Sequence, residues 1–141
     1  MIQRIQSVYL LLAVAFLGLE YSFGSVWTGP SAAEYSWFVP VTMGVFTISA
    51  IGAFGAIFMY SQRKRQRSLV VTSQIIALLG LLILFASQYM SGALPNMNLT
   101  QASFESWAAL VSPILAYLML IMARRAIEKD IALVRSMDRL R

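Results

Sequence analysis

Apolar residues fall into four long runs separated by short polar segments, and this pattern dominates the chain. The runs cover residues 7–23, 38–60, 69–89 and 104–122, and none contains Lys or Arg. Each approaches the ~20 residues that an α-helix needs to cross ~30 Å of hydrocarbon. Helix is the expected state, because a chain in lipid must satisfy its backbone donors and acceptors within each segment. The alternating strands of a membrane barrel, ~10 residues each, are absent from the pattern.

The connecting segments differ in character. Residues 24–37 are rich in Gly, Ser, Pro and aromatic side chains, and residues 90–103 contain the turn-like Leu94-Pro95-Asn96. A strongly basic hairpin is expected at residues 62–67. Residues 123–141 have no Gly or Pro and should prolong span four as helix. On a helical projection Ile127, Ile131, Leu133, Val134, Met137 and Leu140 fall on one half, with Glu128, Arg135, Ser136 and Arg139 on the other. Asp130 and Asp138 interrupt the apolar half. Such a tail either lies in the membrane interface or packs on a partner helix.

The predicted fold class is therefore all-α. It is a four-helix transmembrane bundle in one domain over residues 1–141, with both termini cytoplasmic and a C-terminal amphipathic cytoplasmic helix extending span four. Charge sets the orientation. Of the 11 basic residues, Arg4 precedes span one, and Arg63, Lys64, Arg65 and Arg67 lie between spans two and three. The remainder, Arg124, Arg125, Lys129, Arg135, Arg139 and Arg141, follow span four. The other two connections hold none, so the positive-inside rule places every basic segment in the cytoplasm. Trp27, Trp37 and Trp107, with Tyr21, Tyr35 and Tyr89, are expected at the opposite, outer interface, where amphipathic rings favour the headgroup depth. Residues after the first run offer no small-residue cleavage site, so that run is expected to remain as a span.

Composition narrows the chemistry. Hydrophobic residues make up 59% of the chain and charged residues 12%, against about 45–50% and about 25% in soluble domains. Cysteine and histidine are absent, which removes thiolate nucleophiles and the commonest transition-metal ligands. No catalytic, cofactor-binding or metal-ligating residues are expected, and the protein is not expected to be an enzyme. Glu20 and Glu105 should sit at the outer ends of spans one and four, solvated by water or headgroups. The deeper polar groups are amides and hydroxyls such as Thr42, Thr47, Ser49, Gln74 and Ser112. The absence of a midplane carboxylate cluster argues against a coupled transporter.

Small residues recur at helical spacing: Ser49, Gly52, Ala53 and Ala56 on span two, Ser73, Ala77 and Gly80 on span three, and Ala109, Ser112 and Ala116 on span four. Such stripes let backbones approach closely and are expected to knit the bundle together. Pro113 lies within span four and should kink it by removing the donor to the Ala109 carbonyl.

The opening Met1-Ile2-Gln3-Arg4-Ile5-Gln6-Ser7-Val8-Tyr9-Leu10-Leu11-Leu12-Ala13 resembles a family of small bacterial membrane proteins catalogued as a domain of unknown function. The ending Ala126-Ile127-Glu128-Lys129-Asp130, then Leu133-Val134-Arg135-Ser136-Met137-Asp138-Arg139-Leu140-Arg141, is similar to the same family. The resemblance implies a bacterial cytoplasmic (inner) membrane location and no particular activity. Both end motifs would be cytoplasmic, where a contact of the Arg4–Asp138 type is expected to pin the tail against the bundle.

The leading functional expectation is a non-enzymatic scaffold or accessory subunit of a larger membrane complex. The candidate interaction residues are Arg4, Arg63, Lys64, Arg65, Arg67, Ile127, Ile131, Val134, Arg135, Asp138 and Arg139. The expected partners are anionic lipid headgroups at the cytoplasmic face and another membrane protein or a second copy of the chain, and no nucleic acid. A small passive channel or carrier is the alternative, and a membrane enzyme acting on lipid or quinone ranks below both.

Overall fold

A computed structural model describes the backbone of residues 2–94 and 104–138, and the side chains of residues 5–94 and 104–136. The described residues form six helices: α1 (Ile2–Leu19), α2 (Gly24–Trp27), α3 (Pro30–Glu34), α4 (Phe38–Phe58), α5 (Arg63–Met90) and α6 (Phe104–Asp138). A 3-10 turn, Glu20–Ser22, follows α1. Four of the helices, α1, α4, α5 and α6, are long and apolar enough to cross a membrane.

These four form a ring in which α1 packs against α4 and α6, and α5 packs against the same two. Neighbours run antiparallel. Gln6 and Glu20 of the first segment meet Ala126 and Ser112 of α6, so one helix rises as the other falls. The N-terminus, the α4–α5 turn and the tail of α6 consequently share one end, here termed the basic end. The short helices α2 and α3 sit at the other, the capped end.

The spans begin and end differently from the hydropathy boundaries. α1 starts at Ile2 and α5 at Arg63, because helix continues outward past the apolar run where good helix formers follow. The expected basic hairpin loop shrinks to Met59–Gln62, and Arg63, Lys64, Arg65 and Arg67 all lie on the first two turns of α5. At its other end α5 closes at Met90 and the chain turns at Gly92, whose φ of 65° is left-handed. Gly92 N–H bonds to the Tyr89 carbonyl at 3.2 Å and Ala93 N–H to the Gln88 carbonyl at 3.0 Å. This is the Schellman pattern that satisfies the last carbonyls of a helix.

The exterior, unlike that of a soluble bundle, is apolar. Ile51 and Leu82 are 66% and 59% exposed, on faces where lipid would be their solvent. The small-residue stripes face inward: Ser49, Ala53, Ala56, Ala109 and Ala116 are fully buried, with Ser73, Ala77 and Ser112 nearly so. Each stripe is thus used within the bundle, as expected. Large side chains fill the space between, with Leu10, Leu17, Phe46, Leu84 and Leu120 buried.

Glycines allow close approach between α4 and α5. A Cβ placed on Gly80 would come 2.5 Å from Phe46 Cε1, and one placed on Gly52 would overlap the Ser73 hydroxyl. Ser49 Oγ donates to the Ser73 carbonyl at 2.9 Å across the same seam. α6 runs unbroken for 35 residues with Pro113 inside it, a length of about 52 Å at 1.5 Å per residue. That exceeds ~30 Å of hydrocarbon, so its last turns extend beyond the bundle on the same helix.

Gly80→Ala forces the Phe46 ring aside and is expected to destabilise the protein by about 1–3 kcal/mol. Gly44 has nothing within 4 Å of its would-be Cβ, so Gly44→Ala is expected to be neutral or mildly stabilising. Denaturation midpoints of the two variants in one detergent check the contrast.

Candidate functional site

The basic end is assembled from α1, the start of α5 and the second half of α6. Two glutamines first fix these helices. Gln66 is buried on α5 and donates from Nε2 to the Ala56 carbonyl at 3.0 Å, near the end of α4, where that carbonyl also accepts from the Met59 N–H at 3.2 Å. Gln6, buried on α1, donates from Nε2 to the Ala126 carbonyl at 3.3 Å. Both side chains are buried, so each contact helps to set a helix register.

Charged pairs then tie α6 to α5. Arg63 Nη1 lies 3.0 Å from Asp130 Oδ2, with Asp130 only 14% and Arg63 31% exposed. Arg67 Nε donates to Glu128 Oε1 at 2.7 Å, and Arg124 Nε approaches the same oxygen at 3.7 Å. Asp130, which breaks the apolar half of the tail in projection, is therefore the partner of Arg63. The tail is joined to α5 by the Arg63–Asp130 and Arg67–Glu128 pairs, whereas Arg124–Glu128 lies within α6. The expected Arg4–Asp138 contact falls on side chains outside the described ones, and Arg139 lies outside the described residues.

The remaining candidates separate into two groups. Ile127 is fully buried and belongs to the bundle core with Leu120 and Ala123. Ile131 packs at the edge of that core. Beyond it the helix is uncovered, with Leu133 44% and Val134 38% exposed. A groove of about 490 Å³ runs beside this stretch, lined by Gln62, Arg63, Lys64, Arg65, Ile131 and Val134. An adjoining one of about 390 Å³ is lined by Lys64, Arg67, Glu128, Ile131 and Arg135. Lys64, Arg65 and Arg135 have no carboxylate within ion-pair distance among the described residues. The structure thus brings Arg63, Lys64, Arg65, Arg67, Ile131, Val134 and Arg135 together.

The capped end departs most from expectation. Glu20 is 1% exposed, so headgroup water does not solvate its carboxylate. Ser112 Oγ donates to Glu20 Oε1, and the Trp27 indole N–H donates to the Glu20 carbonyl at 2.6 Å. Trp27 is itself buried and stacked on Phe38 with centroids 5.7 Å apart. It is a packing element of the cap, whereas Trp37 and Tyr89 are exposed, as interface anchors would be. Glu105 is half-buried and accepts from the Ser25 N–H at 3.2 Å. The short α3 is fastened to α5 by Ser31 Oγ, which donates to Gln88 Oε1 at 2.9 Å.

Sequence reasoning overlooked Gln66, Glu128 and the pairing role of Asp130. The signal was present for Gln66. The buried positions Ser73, Ala77 and Gly80 of α5 extend backward at three- and four-residue spacing through Val70 to Gln66.

The profile of a family described as "Domain of unknown function (DUF4293)" matches residues 29–140. The match takes in the ending motif and the middle of the chain, and begins after the opening motif. No curated protein and no solved structure matches the chain.

Two outcomes follow from these contacts. Ser112→Ala removes the donor to a buried carboxylate and is expected to cost about 1–3 kcal/mol. Glu20→Leu combined with Ser112→Ala removes both polar partners and should recover much of that loss in unfolding midpoint. Asp130→Arg sets two cations against each other and is expected to free the end of α6, seen as new chymotrypsin cleavage near Leu133. Exchanging the pair, Arg63→Asp with Asp130→Arg, should restore protection; equal cleavage of both variants would show that the pair does not hold the tail.

Proposed function

We propose, for a chain that belongs to the DUF4293 family, a role as a non-enzymatic accessory subunit that docks a larger membrane complex through the basic end. The observation that carries this reading is the stretch of α6 beyond Ile131. There Val134 stands exposed on a helix already formed and lines one groove with Ile131, Lys64 and Arg65, the two cations lacking carboxylate partners among the described residues. An apolar stripe flanked by uncompensated cations suits an amphipathic helix with acidic flanks.

Two further features support docking over lying flat in the interface. α6 has no break between span and tail, and the Arg63–Asp130 pair holds the tail toward α5. The small-residue stripes, in contrast, are used inside the bundle and are not available for a partner. In this reading the basic end faces the cytoplasm of a bacterium, the bundle spans the inner membrane and both termini are cytoplasmic. The complete segregation of Lys and Arg supports that orientation.

The test is a photo-crosslinker at Val134, with one at the lipid-facing Ile75 as control, in the full chain at native expression. Position 134 is expected to join one membrane protein in fixed stoichiometry, and position 75 lipid. With the crosslinker kept at position 134, Lys64→Glu with Arg65→Glu should abolish that product while shifting stability by less than about 0.5 kcal/mol, as for other exposed positions. Crosslinking of position 134 to lipid alone would remove the reading.

A further inference from the structure

We propose that the seam between α1 and α6 at the basic end binds the phosphate of an anionic phospholipid between Arg125 and Lys129. The two cations lie one helical turn apart on α6, so their stems share a face. Met122 and Ala126 occupy the same stripe, opposite Ile5 and Tyr9 of α1, and together these six residues line a groove of about 350 Å³. That lies at the small end of the ~300–1,000 Å³ range of ligand pockets and suits a headgroup whose acyl chains lie outside.

Charge is distributed unevenly around α6. On the side facing α5, Arg63, Arg67 and Arg124 lie against Asp130 and Glu128. On the side facing α1, no carboxylate lines the groove, and neither Arg125 nor Lys129 has one within ion-pair distance among the described residues. One helix therefore separates compensated cations, which join helices, from two uncompensated ones that open onto a groove.

The groove is also graded along the span axis. Met122 and Tyr9 form the wall toward the bundle centre, and Arg125 and Lys129 lie outward of them. Ile5 and Met122 are 50% and 40% exposed. This order, apolar wall first and cations at the boundary, is that of a phospholipid's own glycerol and phosphate. Arginine supplies a planar fork for phosphate oxygens and lysine a point charge. The Gln6–Ala126 hydrogen bond holds α1 against α6 at this level, so the walls are fixed before a lipid arrives. The site shares no residue with the docking stretch around Val134, and the two stand separately.

The test titrates the detergent-solubilised full chain with dioctanoyl phosphatidylglycerol, dioctanoyl phosphatidylcholine and glycerol phosphate. Binding of phosphatidylglycerol is expected to exceed that of both controls. At about five-fold per basic residue near an anionic surface, Arg125→Gln with Lys129→Gln should weaken it about 30-fold. Arg125→Lys with Lys129→Arg keeps both charges and should stay within a few-fold of the native chain, which separates loss of charge from loss of fold. Lys64→Gln with Arg65→Gln, on the opposite side of α6, should leave binding unchanged. Equal binding by the native and double-Gln chains overturns the proposal, as does an equal loss in the Lys64/Arg65 variant. Glycerol phosphate binding as tightly as the lipid would assign the site to free phosphate. Displacement of the lipid by a polyglutamate peptide at equal concentration would assign it to an acidic protein.

Discussion

Polar groups buried in apolar surroundings hold the four long helices in register, and the rest of the structure depends on this. Inside lipid, water offers no alternative partner and apolar side chains gain little by choosing a neighbouring helix over an acyl chain. Specific polar contacts and close backbone approach remain to decide which helix meets which. Here the α1–α6 seam is fastened near both ends, by Gln6 on the Ala126 carbonyl and by Ser112 on Glu20. The α4–α5 seam is fastened by Gln66 on the Ala56 carbonyl and by Ser49 on the Ser73 carbonyl. Gly52 and Gly80 allow the backbone approach that this second set requires. A helix shifted by one residue would lose its contacts at both ends together, so register is cooperative across the span.

This constraint explains which parts of the structure were legible beforehand. The number of long helices and the inward direction of the stripes depend on composition over tens of residues, which hydropathy and spacing report directly, whereas the short α2 and α3 left no such signal. Glu20 was misread because its place near the end of an apolar run suggested solvent. Its surroundings are set by residue 112 on another helix and by the cap formed by residues 24–34. Trp27 was misread for the same reason: α2 folds inward against Phe38, and no local pattern distinguishes an inward Trp from an interfacial one. At the basic end the candidate residues were recognised by their charge. Their division into paired and unpaired cations was not, since it depends on which face of α6 meets α5. Only long-range pairing decides that.

The division of the basic cations is itself a consequence of packing. α6 is wedged between α1 and α5, so its charged turns present one face to each neighbour. Carboxylates occur on the face toward α5, where Arg63 and Arg67 approach at close range and partial burial would make an uncompensated cation costly. The face toward α1 meets Ile5 and Tyr9, which carry no charge, and Arg125 and Lys129 there extend outward along their apolar stems. Paired and unpaired cations are thus separated onto different faces of α6.

The last turns of α6 pose a question of stability that the same geometry answers. A helix of two turns is not stable alone, because nucleation is unfavourable and few hydrogen bonds repay it. These turns need no nucleus, because they propagate from a span whose core stripe runs through Leu120, Ala123 and Ile127. The Arg63–Asp130 pair extends that support by one further turn. Past it, Leu133 and Val134 are presented on a preformed helix, so the entropy of ordering them is already lost before any partner arrives. An uncovered apolar stripe in that state favours binding more than a disordered tail of the same sequence would. The bundle's internal register therefore determines, through one unbroken helix, how the exposed end of the protein is offered to its surroundings.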